Sequence, residues 1–302
     1  MYDIIIIGGG PGGLTAGIYA GQAGKKTLIL EKVIAGGQTA QINDITNYPG
    51  FLSVNGFELS DIMKKQAINA GVDFKREEVV SAVLDTEIKV IKTHKSEYSA
   101  KNIIIATGAF ARELEVDGEK KYLGRGLSYC ATCDGNFFKG KRVAVVGGGN
   151  SSMDDCIYLS NIAEKVYLIH RRDEFRSSEN MTNKVKTLAN EGKVEIIINS
   201  VVTKIAGNEF LESIDIYNKK DNTTKTLNID GLFVAIGRKP DTEIFAGALE
   251  LNDGGYIVTD ERMRTSLKNV YAVGDVRNTP LKQIVTACGD GAIAVNTIII
   301  EG

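Results

Sequence analysis

The chain has no tryptophan, four prolines, two histidines and four cysteines among its 302 residues. So few cysteines in so long a chain exclude a small secreted scaffold stapled by disulfides. A structural zinc site needs four ligands, and Cys156, Cys288, His94 and His170 supply no second pair to complement Cys130 and Cys133. No metal is expected. Acidic and basic residues nearly cancel, at a net charge of −2, and are scattered along the chain. That leaves no electrostatic footprint for nucleic acid or an anionic membrane surface. The longest apolar runs, Ile4 to Ile7, Ile103 to Ala106 and Ile298 to Ile300, are far too short to span a bilayer. Strand-like sequence begins at Tyr2 without a basic leader, so a cytoplasmic protein is expected. What remains is 43% apolar and 25% charged, ordinary for a globular protein with room for two domains.

Near the middle stands Tyr129-Cys130-Ala131-Thr132-Cys133-Asp134-Gly135. If Cys130 opens a helix, Cys133 lies one turn along the same face, with Cα atoms about 5–6 Å apart, inside the window for a disulfide. The pair can be read as half a metal site, a structural bridge or a redox centre. In a reducing compartment a CxxC is more often catalytic.

Two stretches of the chain are alike. Asp3 to Ile7 reads as a buried parallel strand, Gly8 to Gly13 as a GxGxxG turn, Leu14 to Gln22 as a helix, and Thr27 to Leu30 as a strand ending at Glu31. Arg142 to Val146, Gly147 to Ser152, Met153 to Asn161 and Val166 to Ile169 repeat that order. At one constant offset Gly8 falls on Gly147, Gly10 on Gly149, and Ile18-Tyr19 on Ile157-Tyr158. Such a turn lets backbone approach a pyrophosphate, which the helix N-terminus then receives. The copies differ where Glu31 falls on His170, followed by Arg171 and Arg172, with Arg176 four residues further on. A carboxylate there suits the ribose hydroxyls of FAD or NAD, whereas arginines suit the 2′-phosphate of NADP.

Gly36-Gly37-Gln38 and Asn47-Tyr48-Pro49-Gly50 read as ligand-lining turns, residues 79–93 as a small meander, and Ile103 to Ile105 as a separate buried strand. Leu232 to Ile236, ending in Gly237, has the character of the 103–105 strand. Phe57 to Asn69 and Gln283 to Ile300 read as helices, and Asn269 to Asp275 as a strand stopping at an acid. The fold class expected is α/β with two Rossmann-like domains. One, residues 114–241 and carrying the CxxC, is inserted into the other, residues 1–113 and 242–302, with hinges near 111–116 and 239–245.

With Cys130-Ala-Thr-Cys-Asp134-Gly135, the paired glycine turns and His170-Arg171-Arg172-Asp173-Glu174-Phe175-Arg176 in view, the chain resembles the low-molecular-weight bacterial thioredoxin reductases, end to end. The resemblance implies FAD held by Gly8, Gly10, Pro11, Gly12, Gly13 and Glu31, with Gly36, Gly37, Gln38, Asn47, Val80, Thr107, Gly108, Gly274, Asp275 and Gln283 around it. It implies NADPH at Gly147, Gly149, Asn150, Ser151, Ser152, Arg171, Arg172, Arg176, Ile236 and Gly237, and a homodimer. Ser152 stands where alanine is usual, Asp154-Asp155 where two glutamates are usual, and Lys282 where arginine is frequent.

The implied reaction takes electrons from NADPH through FAD and the Cys130–Cys133 disulfide to thioredoxin. Cys133 is the flavin-side sulfur in this reading, Cys130 attacks the partner, and Asp134 serves as general acid with its pKa raised by burial. A helix N-terminus at Cys130 favours its thiolate. Because one flavin must meet both nicotinamide and disulfide, the domains rotate between half-reactions. Three alternatives stay open: a reductase of another disulfide, such as a peroxiredoxin or small dithiol; a cysteine-independent flavin NADPH oxidase or ferredoxin–NADP-type reductase; and a nucleotide sensor without turnover. Cys156 and Cys288 read as packing residues, His170 as structural and His94 as surface.

Overall fold

The structure is a computed structural model that describes residues 1–42 and 44–301. The chain divides into two compact units, Met1–Phe110 with Lys239–Gly302, and Ala111–Arg238. Both boundaries fall slightly before the 113/114 and 241/242 expected from sequence.

The first unit opens with β1 (Tyr2–Ile7), α1 (Pro11–Gln22), β2 (Thr27–Glu31), α2 (Gly56–Asn69), β3 (Asp73–Arg76), β4 (Val79–Val83), β5 (Lys89–Thr93) and β6 (Glu97–Ile105), and leaves through β7 (Ala109–Ala111). The strands form one sheet in the order β3-β2-β1-β6-β5-β4. β1 ends in four consecutive isoleucines, Ile4 to Ile7, because both faces of the sheet are covered there. Ile4 and Ile6 pack with Leu14, Leu59 and Met63 under α1 and α2, while Ile5 and Ile7 face Ile91, Phe245 and Ile257 on the other side.

The second unit contains α3 (Glu119–Tyr122), β8 (Leu127–Ser128), α4 (Ala131–Asp134), β9 (Arg142–Gly147), α5 (Asn150–Ser160), β10 (Lys165–Ile169), α6 (Glu179–Asn190) and β11 (Val194–Ile197). After these come β12 (Ser200–Gly207), β13 (Leu211–Asn218), β14 (Thr223–Asn228), β15 (Gly231–Ala235) and β16 (Arg238–Pro240). A parallel sheet runs β11-β10-β9-β15-β8, and β12 to β14 form an antiparallel ribbon. The chain crosses out along β7 and back along β16, and these two strands pair with each other. The return adds β17 (Val270–Ala272), parallel to β6, and α7 (Ile284–Glu301).

Several elements differ from the sequence reading. Both glycine-turn helices start three residues early, at Pro11 and Asn150, because extended Gly10 and Gly149 serve as their N-caps, and proline at the first helical position is already set for the helix. The meander is not separate. β6 is nine residues long, pairing antiparallel with β5 at one end and parallel with β1 at the other, so residues 79–105 extend the main sheet. Gly36 to Gln38 enters a 3-10 helix, Gly37–Gln41, rather than a simple turn. α7 is long and apolar enough to cross a bilayer by length and composition, which short unbroken runs had concealed. In the structure it lies against α1, burying Ala287, Asp290, Gly291, Ala294 and Val295.

That contact is backbone on backbone. A Cβ on Gly291 would stand 2.3 Å from the Gly12 carbonyl oxygen and 2.9 Å from the Ala16 nitrogen. Gly291→Ala must push α7 off α1 and should cost about 1–3 kcal/mol, as overpacking does. A urea midpoint equal to the parent's, at unchanged slope, would show that the helices can separate freely.

Candidate active site

The first glycine turn is built by exclusion of side chains. Gly8 has φ +110, and a Cβ there would lie 2.3 Å from the Ala106 carbonyl oxygen. A Cβ on Gly13 would lie 2.0 Å from the Gly8 oxygen. Only glycine permits this approach. Gly10 is different: the nearest atom to a Cβ is 4.0 Å away, so hydrogen there keeps open the space before the N-terminus of α1, which no side chain caps. Gly36 donates its N–H to Gly9 oxygen at 2.7 Å and brings Gly37 beside Gly10. Glu31 ends β2 buried, accepting the N–H groups of Gly9 at 2.7 Å and Val33 at 2.9 Å. An open cradle, free helix N–H groups and a fixed carboxylate fit a dinucleotide without a 2′-phosphate.

The second turn repeats this with changed chemistry. A Cβ on Gly147 would meet Ala235 oxygen at 2.5 Å, while Gly149 has nothing within 4 Å. Ser152 replaces the third glycine without opening the packing. It is fully buried, and its hydroxyl donates to Gly149 oxygen at 2.7 Å. In the place of Glu31, the His170 ring lies against Gly148, where a Cβ would strike it at 2.1 Å. Nε2 of His170 lies 3.0 Å from Glu174 oxygen, its ring packs on Phe175, and burial pushes its pKa down, which makes it structural. The segment after it is tied over the turn, since Arg176 N–H donates to Gly148 oxygen at 2.7 Å and Ser178 N–H to Asn150 Oδ1 at 2.9 Å. Arg171, Arg172 and Arg176 are exposed, and among the described residues none of them is in an ion pair. Three free guanidinium groups beside an open glycine turn fit a phosphate in addition to the pyrophosphate. Ile236 and Gly237 follow β15 directly past Gly147, and Asn150 and Ser151 are exposed at the start of α5.

Around the first turn the structure gathers residues far apart in sequence. Asn47 donates its amide to Gln283 Oε1 at 3.0 Å. Gln38 donates to the Ala109 carbonyl, and Thr107 Oγ1 to the Asp241 carbonyl at 2.7 Å, beside Gly108 at φ +76. Gly274 and Asp275 form a 3-10 turn after β17, held by the Gly274 N–H donating to buried Asp290 at 3.0 Å, which Arg277 pairs at 3.2 Å. Sequence reasoning missed Asp290, since one acid in a small-residue helix carries no pattern. Val80 is exposed near the start of β4, four residues beyond Arg76, which pairs with Glu31 in the sheet.

Cys130 and Cys133 are joined in a disulfide, with Cα atoms 5.3 Å apart. Cys130 is the N-cap of α4, a helix of only four residues, so its dipole is slight support for a thiolate. Ser128, unremarked in the sequence, is the organiser. Its hydroxyl donates to the Asp134 carboxylate and accepts the Cys130 N–H at 3.0 Å. Burial raises the pKa of Asp134, and the Ser128 bond opposes that shift. A carboxyl whose pKa is raised above its ordinary range, directly after Cys133 in the chain, suits giving a proton to a departing thiolate. Burial, with Asp155 next to it, pushes the Cys156 thiol up to about 12, which leaves it inert. Cys288 is half-buried beside Tyr48, its pKa raised by burial, and His94 is exposed near Glu78. Among the described residues no cluster could hold a metal.

The model of the pyridine nucleotide-disulphide oxidoreductase family matches residues 2–291. The chain belongs to this family. A thioredoxin reductase of Bacillus subtilis is 41% identical to it over 99% of this chain and 94% of its own length. The thioredoxin reductase structure from Streptococcus pyogenes is 39% identical and superposes with a TM-score of 0.92, covering 99% of this chain and 97% of that one. A Lactococcus lactis thioredoxin reductase structure, described as the FR conformation, is 37% identical with full coverage of both chains, yet has a TM-score of 0.68. Within this oxidoreductase family, then, near-equal sequence likeness accompanies very different overall superposition.

Asp155, on α5, has its pKa raised from 3.8 to about 7, by burial first and by Asp154 second, against the pull of Arg238. Its proton is held more tightly folded than unfolded. The stabilising contribution is therefore complete below about 3.8 and is lost as pH rises through about 7. Asp155→Asn should flatten the fall of chemical-denaturation stability over that window. An unaltered slope would place the titration elsewhere.

Proposed function

We propose that this chain is an NADPH-dependent, FAD-containing reductase of the thioredoxin disulfide. The observation that carries the reading is the Cys130–Cys133 disulfide with partly buried Asp134 beside it, in the same unit as an open glycine turn flanked by three free arginines. In this reading Gly8, Gly10, Pro11, Gly12, Gly13 and Glu31 hold FAD in the outer unit, with Gly36, Gly37, Gln38, Asn47, Thr107, Gly108, Gly274, Asp275 and Gln283 about it. Val80 belongs to that set by family likeness alone. Gly147, Gly149, Asn150, Ser151, Ser152, Ile236 and Gly237 hold NADPH in the inserted unit, and Arg171, Arg172 and Arg176 take its 2′-phosphate.

The flavin, when bound, supplies the two-electron couple between a nicotinamide and a disulfide. The protein's own part begins with the reduced pair. Cys130 thiolate attacks one sulfur of the partner disulfide, forming a mixed disulfide and expelling the other partner sulfur, which Asp134 protonates. Cys133 thiol then passes its proton to Asp134 and attacks Cys130, the second partner sulfur leaves and takes that proton, and the Cys130–Cys133 disulfide is restored with two electrons and two protons delivered to the partner dithiol. The net change is NADPH, a proton and oxidised thioredoxin going to NADP⁺ and reduced thioredoxin.

Disulfide and second glycine turn share one unit, so they take turns at the flavin through rotation about the paired crossing strands. The spread of superposition among relatives of near-equal identity supports that motion. The apolar residues that α7 leaves exposed, Val285, Ile293, Ile299 and Ile300, suit coverage by a second copy in a homodimer. We place the enzyme in the cytoplasm, where thiols are kept reduced.

The purified yellow protein should oxidise NADPH only when oxidised thioredoxin is present, and Cys130→Ser should abolish that dependence while leaving the flavin reducible. Turnover surviving in Cys130→Ser would favour a cysteine-independent oxidase instead. Replacing Arg171 and Arg172 together by Ala should raise KM for NADPH at least tenfold and leave that for NADH nearly unchanged, since each charged contact is worth about 1.5–3 kcal/mol. An intact preference for NADPH would refute the 2′-phosphate assignment.

A further inference from the structure

Glu119 is a carboxylate at 3% exposure in the unit that carries the disulfide, and the chemistry above does not use it. Its Oε1 accepts the Leu114 N–H at 2.7 Å and the Tyr129 hydroxyl at 2.8 Å. Its Oε2 accepts the Glu115 N–H at 2.8 Å. A buried carboxylate persists only with such full satisfaction. The two ends it joins are informative. Leu114 and Glu115 are the third and fourth residues beyond the outgoing crossing strand, and Glu115 is held at φ +61, a conformation that non-glycine residues rarely adopt. Tyr129 is the residue immediately before Cys130 and packs against the core cluster of this unit.

We propose that Glu119 is a positioning residue that locks residues 114–115, just past the outgoing crossing strand, to the residue preceding the redox disulfide, so that Cys130 moves with that segment as one body about a pivot in the crossing. The outer unit has a matching clasp. Lys32 lies over the Phe110 ring at 5.2 Å and pairs with Asp241 at 2.7 Å, holding both crossings at their outer ends. On the outgoing side, torsional freedom is then confined to the few residues between Phe110 and Leu114. A pivot that short loses little of its rotation before reaching Cys130, provided the Glu119–Tyr129 contact holds.

The inference rests on the proposed redox function, and its test separates the two. In the holoenzyme, Tyr129→Phe removes one hydroxyl and keeps the packed ring; Glu119→Gln is the harsher change. Tyr129→Phe should lower kcat for NADPH-dependent thioredoxin reduction about tenfold, the size expected for one charge-assisted hydrogen bond, with both KM values within about twofold. Flavin reduction by NADPH in stopped flow should stay at the parent rate. The double variant should be no worse than Glu119→Gln alone, because both changes break one contact. Independently of any partner, the Cys130–Cys133 equilibrium with dithiothreitol should shift about threefold or more in Tyr129→Phe. Parent kcat and parent dithiothreitol equilibrium in Tyr129→Phe would overturn the proposal, as would additive losses in the double variant or an equal slowing of flavin reduction. A parent enzyme that ignores thioredoxin refutes the functional reading by itself, and the dithiothreitol equilibrium still decides the role of Glu119.

Discussion

The outer unit depends on how closely backbone can approach backbone at the turn after β1. Gly8 against Ala106, Gly13 against Gly8, Gly12 against Gly291 and Gly36 against Gly9 all converge there. Each contact removes room for a side chain, and together they bring α1, α7, β6 and the 36–41 segment onto one point. The same closeness leaves Gly10 facing open space, so one constraint sets both the packing and the cradle. The inserted unit repeats it at Gly147 and Gly149, where buried Ser152 takes the third position by turning its hydroxyl back onto the loop.

Given two copies of one turn, chemistry is assigned by what each second strand delivers. Glu31 spends its carboxylate on Gly9 and Val33 N–H groups, which fixes a negative charge at the mouth of the first turn. His170 fills the equivalent space with a ring pressed on Gly148, and the charge passes to arginines that point to solvent. A buried ring in place of a buried carboxylate avoids an unpaired charge under the loop while leaving the cationic groups hydrated until a phosphate arrives.

Around the disulfide the acids do different work because their surroundings differ. Asp134 is bonded to Ser128 and half-buried, Asp155 is held up to about 7 by burial and its like-charged neighbour, and Glu119 is bound by three donors. A proton store, a part-buried titrating group and a mechanical tie thus share one unit. Burial alone does not sort them; hydrogen-bond partners do.

The local pattern of the chain determined a good deal. Runs of isoleucine before glycine turns announce buried parallel strands, a constant offset announces duplication, and spacing places Cys130 and Cys133 within bonding distance. These are properties of near neighbours, and periodicity records them. Tertiary structure alone decided the rest. That Asn47 meets Gln283, that Asp290 holds Gly274, that Glu119 receives Leu114, Glu115 and Tyr129, and that residues 79–105 join the main sheet all depend on elements meeting after folding. The physical reason is range: steric and periodic signals act within a few residues of chain, whereas a buried hydrogen bond has no signature until its partner arrives.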